Sequence, residues 1–331
     1  MVDRFVFGTT KHGETVTAFR LSNRNGMSVT VLDYGCTLQS VCVPHRGTLV
    51  DVCLGYDTAA DYEENDGYVG AVIGRYAGRI PDGRIILGET TYRLAQNDGT
   101  NHLHGGLIGF DKRIFSASVT DHSVCFTYRS HDDEEGYPSS LSVSVMYSLT
   151  EDNALRLVLR GIADGLTVWN PTSHAYWNLN GHNSGNALDH LLTIPSETYV
   201  PVDAQLIPIG IEAPVSGTPF DYRTPHAIHE RFEKTDGGYD HSFVLSDNPI
   251  ELCGNNGIRM QILTDCRTVQ LYTSNFLTTR RGKNGATYAP HQAICLETES
   301  RPMMRNAPIP EESILLPNTE KTHTTVFRFF T

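Results

Sequence analysis

The sequence predicts an all-β protein, a large antiparallel β-sandwich with few short helices. Three observations carry this expectation. Short runs of β-forming residues alternate apolar with polar, dipeptides that supply positive φ separate the runs, and no window of a dozen residues has the apolar spacing of an amphipathic helix.

Along the chain, Thr15 to Leu21, Met27 to Leu32, Ser123 to Arg129, Leu141 to Leu149 and Ala154 to Ile162 read as strands. Their Val, Ile, Thr, Phe and Tyr side chains fit a pleated, half-buried surface. Asn25-Gly26, Asp82-Gly83, Asp98-Gly99, Asp236-Gly237, Asn256-Gly257 and Asn284-Gly285 mark tight turns between strands. Only Thr58 to Glu64 and Ala227 to Glu233 suggest short helices. From Tyr199 to Pro225 the chain carries prolines at 201, 208, 214, 219 and 225, a stiffened loop of the kind that rims a site. Neither a Ser/Gly/Pro-rich linker nor a charge run divides the chain, so residues 1–331 are expected to form one domain of two twisted sheets.

With 331 residues, 39% hydrophobic and 19% charged, the chain is long enough for a sizeable core. Lys and Arg number 26 against 38 Asp and Glu, and the formal net charge of −12 disfavours nucleic acid and anionic membranes as partners. Met1 to Gly8 lacks a basic stretch leading into an apolar run, and no window reaches the length of a membrane-spanning helix. The seven cysteines are odd in number, widely spread and mostly in apolar surroundings, which reads as free thiols in a reducing compartment. A cytoplasmic protein is expected. No Cys-x-x-Cys pair offers a thiolate zinc site.

Chemistry concentrates in a few segments. Trp169 to Gly181 places His174 among two indoles, a phenol and several amides, a composition suited to a site wall or to a core histidine with satisfied hydrogen bonds. Strand alternation puts His174 and Tyr176 on one side and Trp177 on the other, in the core. Glu297 closes the apolar run Ala293 to Leu296. It reads either as a desolvated base or as a strand-end glutamate paired with Arg301 or Arg305. Glu299 shares its face if the strand continues. Alternation also predicts that His102 and His104 face the same way, with Gly105-Gly106 allowing a close approach; the nearby sequence offers no further His, Glu or Asp at a spacing that would complete a metal site. Asp240, in Tyr239 to Phe243 after a glycine turn, suits sugar hydroxyls or a turn cap. Gly74 to Ile80 is no phosphate loop, and its Arg75 and Arg79 suit a ligand oxygen or surface ion pairs. The inventory contains no cofactor motif and no activated serine or cysteine, and it suits proton transfer on a neutral polyhydroxylated ligand.

The order of these segments resembles the aldose 1-epimerases, the galactose mutarotases, over nearly the whole chain. The landmarks are Asp51 to Tyr56, Gly70 to Ile80, Leu103 to Gly106, Thr172 to Leu179, Tyr239 to Phe243, Val269 to Phe276, Gly282 to Gly285 and Cys295 to Glu299. The resemblance implies the galactose mutarotase type of β-sandwich and interconversion of the α and β anomers of free aldohexoses such as galactose and glucose. Glu297 falls on the family's base and His174 on its acid, while Arg79, His104, Tyr176, Asp240 and Gln270 fall on sugar-binding positions. One departure is Gly78, where the family usually has asparagine. No cofactor and no metal is implied, and the partner is an aldose, bound by a monomer or weak homodimer. A glycoside hydrolase built on a carboxylate pair, such as Glu297 with Asp240 or Glu299, and a non-catalytic sugar-binding module compete with this reading.

Overall fold

In the strand Leu141–Leu149, residues 141, 143, 145, 147 and 149 are buried while the serine at 142 is exposed, the period-two pattern of a sheet with one face against a core. Each fully buried side chain of this kind contributes about 1.5–3 kcal/mol. In the computed structural model, which describes residues 1–235 and 237–331, such strands build three main sheets, and every ladder between them is antiparallel. Asp236, of the turn expected at Asp236-Gly237, lies outside the described residues.

The largest sheet has nine strands in the order Ser116–Val119, Ser123–Ser130, Leu141–Leu149, Ala154–Ala163, Glu320–Phe330, Arg259–Thr264, Ile250–Cys253, Leu191–Thr193 and His226–Ala227. A five-stranded sheet runs through Val2–Thr9, Thr15–Ser22, Ser28–Leu32, Leu38–His45 and Thr48–Asp51. The third has six strands, ordered Tyr176–Trp177, Ile294–Glu299, Thr268–Tyr272, Asp240–Val244, Thr198–Val200 and Ala213–Pro214. All five strands read from the sequence are present, each within one residue at either end. The only α-helices among the described residues are Ala59–Glu63 and His229–Phe232, inside the two windows that suggested them. No helix among the described residues is long and apolar enough to cross a membrane.

The six-stranded sheet positions the site. From one face Leu296, Ile294, Val269, Leu271 and Phe243 enter the main core cluster, which also holds Phe327 and Ile262 of the nine-stranded sheet. Trp177 follows the same face, its ring 5.1 Å from Phe327 and 5.8 Å from Phe329, as alternation predicted. The opposite face carries the polar residues described below.

Two buried cations act as staples. Arg75 donates to Ser130 Oγ and to the carbonyls of Pro138, Ser139 and His131, and burial holds its guanidinium down to about 10. Lys283 donates to Asp51 Oδ2 at 2.6 Å and to the carbonyls of Gln39 and Cys53, tying the Gly282–Gly285 turn to the five-stranded sheet. Lys283→Met leaves Asp51 without its cation, so a stability loss of roughly 3 kcal/mol is expected in urea unfolding.

Candidate active site

The register of the six-stranded sheet sets out the floor of a cleft. Cross-strand neighbours Tyr176, Cys295, Tyr272 and Asp240 form one row, and Glu297, Gln270, Ser242 and Val200 form the next. Every member except Cys295 lines the cleft. Neighbouring side chains in a row lie about 5 Å apart, so residues separated by over a hundred positions become one surface.

His174 overhangs this floor where the chain passes between two ladders. Thr172–Ser173 pair with Val72–Ile73, Tyr176–Trp177 pair with the Ile294–Glu299 strand, and His174 is clamped between them. Its N–H donates to the Ala71 carbonyl and its carbonyl accepts from the Gly70 N–H, each at 2.9 Å. His174 and Tyr176 share one side, as expected, with rings stacked at 5.0 Å and 15°. Tyr176 also braces the cleft wall. Its hydroxyl donates to the Gly67 carbonyl at 2.7 Å, so the phenol holds the 66–68 segment against the cleft.

His174 Nε2 lies 3.7 Å from Glu297 Oε1, and both residues are only 4% exposed. Glu297 therefore does not pair with Arg301, which binds Glu212 and Glu312, nor with Arg305, which binds Asp82. Burial disfavours charge on both groups, pushing Glu297 well up and His174 down to about 4; the Glu299 and Asp240 carboxylates raise Glu297 further. Burial thus favours the neutral pair, with the shared proton on the carboxyl.

His104 completes the cluster, its ring 5.3 Å from that of His174. The expected common face for His102 and His104 is not found. The short strand ends at Leu103, and His104 turns into the left-handed region at φ +52°. His102 points away: its Nδ1 donates to the Ala95 carbonyl at 2.6 Å, its Nε2 accepts from Tyr137, and burial keeps it neutral, down to about 4. Gly105 makes the turn possible, since a Cβ there would lie 1.9 Å from the Gly74 carbonyl oxygen. The close approach is thus one of backbone to backbone.

Nδ1 of His104 accepts the Gly78 N–H at 3.2 Å, which places the ring proton on Nε2. His104, His174 and Glu297 bring potential donor atoms within 4.8 Å of one another, a spacing compatible with a metal. However, His104 in this tautomer offers Nε2–H, a hydrogen-bond donor, rather than a lone pair. Gly78 holds φ +75°, and a Cβ at this position would meet no atom within 4 Å, so the position opens onto the cleft.

Arg79 separates from Arg75: it lines the cleft, donating to Asp98 at 2.8 Å and reaching Asp240 at 3.5 Å. Gln270 donates to Asp240 Oδ1 at 2.7 Å and accepts from Ser242 at 2.5 Å, so Asp240 is aimed by two partners and is no turn cap. Val200, Val202, Leu206 and Pro208 of the proline-stiffened loop form a wall, as its composition suggested. Tyr68, Tyr272 and Phe276 escaped the sequence reading. Tyr68, at φ +54°, packs 4.8 Å from His104 and stacks on His174. Its position after Gly67 was the one available signal, while Tyr272 and Phe276 lay inside a landmark segment without a role.

A model of the aldose 1-epimerase family matches residues 17–328. The galactose mutarotases of Mus musculus and Homo sapiens are each 40% identical to the chain over 99% of its length and 98% of theirs. The aldose 1-epimerase of Escherichia coli is 33% identical, covering 96% of each chain. Among solved structures, the galactose 1-epimerase of Lactobacillus acidophilus superposes with a TM-score of 0.88 at 28% identity, over 100% of this chain and 98% of the other.

Proposed function

The chain belongs to the aldose 1-epimerase family and interconverts the α and β anomers of aldoses; from that premise we propose which groups perform the reaction. Glu297 takes the proton from O1 while His174 gives a proton to the ring oxygen. The C1–O5 electron pair goes to O5, C1–O1 becomes a carbonyl, and the ring opens. Rotation about C1–C2 exposes the other face of the aldehyde, and reclosure with the roles reversed delivers the second anomer. The observation that carries this assignment is the 3.7 Å His174–Glu297 pair buried over the cleft floor.

Ring opening converts a Glu⁻/His⁺ pair into its neutral tautomer, the form that burial favours. The protein thereby favours the open-chain complex on both groups at once. His104, with Nε2–H turned into the cleft, donates to the ring oxygen region. Asp240, Arg79 and Gln270 hold the remaining hydroxyls, and the ring of Tyr176 supports His174. Galactose, after the names of the relatives, and glucose, which differs from it only at C4, are the proposed substrates. The same reading treats residues 1–331 as one mutarotase-type domain, supported by a core cluster that runs from Phe19 to Phe329. Seven free cysteines support a cytoplasmic location.

Polarimetry on freshly dissolved α-D-galactose and α-D-glucose tests the activity, and a parallel reducing-end assay on aryl glycosides must show no release. The pair also predicts a pH profile. His174 stays neutral until about pH 4, below which both groups carry protons and no base remains. Mutarotation is therefore expected to persist through neutral pH and to fall tenfold per unit below about 4. A loss centred near the ordinary histidine value of about 6.5 would contradict the burial argument.

A further inference from the structure

We infer that Glu299 is a positioning residue for the reaction, a second buried carboxyl whose charge keeps the working proton on the Glu297–His174 pair as the medium turns alkaline. The inference rests on the acid–base roles proposed above.

Alternation along Ile294–Glu299 sends Ile294, Leu296 and Thr298 toward the core and Glu297 and Glu299 into the cleft, about 6.6 Å apart along the strand. Glu299 is 3% exposed. Its one side-chain hydrogen-bond donor among the described residues is Asn170 Nδ2, at a long 3.4 Å. That amide is held in its orientation because Asn170 Oδ1 accepts the Ser300 N–H at 2.8 Å. No cation is paired with Glu299 among the described residues: Arg79 is taken by Asp98 and Asp240, and Arg301 by Glu212 and Glu312. The titratable groups around it are Glu297 on its own strand, Asp240 across the floor, Tyr76 from the Gly-Arg segment and Cys266.

Burial holds the Glu299 carboxyl up to about 8, so it is mainly neutral at pH 7 and becomes charged just above. A new negative charge on the same buried strand face is poorly screened and makes loss of the last proton from the Glu297–His174 pair harder. Because the sites interact, the alkaline limit of activity belongs to the group as a whole, and removing one charge moves it.

The test is kcat against pH from 5 to 10 by polarimetry, with the buffer-catalysed rate subtracted, for the wild type, E299Q and E299D. E299Q keeps the shape and removes the charge, and its alkaline limb is expected about one pH unit below that of the wild type. E299D keeps the charge and should retain the wild-type limb, which carries the test if E299Q does not fold. A limb that stays in place in E299Q, with activity intact or lowered equally at every pH, overturns the inference and leaves Glu299 a structural wall residue. An E299D limb displaced as far as that of E299Q does the same. Wild-type activity in E297Q would instead sink the underlying assignment of the base, so the two failures are distinguishable.

Discussion

Glu297→Gln is expected to lower kcat for mutarotation on the order of 10²–10⁴-fold, the usual contribution of one positioned proton acceptor. In free energy this is about 2.7–5.5 kcal/mol of transition-state stabilisation. The substitution keeps the side chain's length and planarity but replaces the acceptor oxygen facing His174 with a group that cannot take the O1 proton. Folding should survive, because Glu297 sits where burial already favours a neutral side chain. The thermal midpoint of the variant should therefore equal or exceed that of the wild type while polarimetry shows the loss. Since the residues proposed to bind the hydroxyls remain, the defect should fall on kcat with KM little changed. A variant with wild-type kcat would remove Glu297 from the mechanism.

His174→Asn should cost a similar factor, on the order of 10²–10⁴-fold in kcat, because His174 is the imidazole that exchanges the proton with Glu297, 3.7 Å away. His104 does not substitute: its Nδ1 is committed to the Gly78 N–H, which fixes the ring proton on Nε2 and leaves no nitrogen free to take up a second proton. The replacement also removes the imidazole stacked on Tyr176 and Tyr68, so a small loss of stability is expected beside the kinetic defect. If the two residues act as one relay, the double variant should be scarcely slower than either single variant. Multiplying defects in the double variant would show instead that the two groups act independently.

The strands and the two short helices were legible because each depends on local pattern: period-two burial, turn chemistry and β-branched content. His174 and Tyr176 on one side with Trp177 on the other followed from the same alternation. The expected common face of His102 and His104 failed for a local reason that the pattern does not show. His104 leaves the strand into positive φ because Gly105 must pass within contact of Gly74, a long-range backbone constraint. Arg75 and Arg79 illustrate the same limit. Four residues apart and both beside glycines, they look equivalent in sequence, but one is sealed among carbonyls and the other opens into the cleft.

By itself the sequence determined the strand pattern, the sandwich architecture and the membership of His174, Glu297, Asp240 and Gln270 in one chemical inventory. The tertiary structure decided their pairing. Glu297 meets His174 instead of an arginine, Gln270 and Arg79 aim Asp240, and Tyr68 joins the cleft unannounced. The physical reason is that alternation is a property of a few neighbouring residues, whereas proton affinity depends on burial and on charges brought near by strand register. Those neighbours lie tens to more than a hundred positions away in the chain, and only the folded sheet puts them side by side.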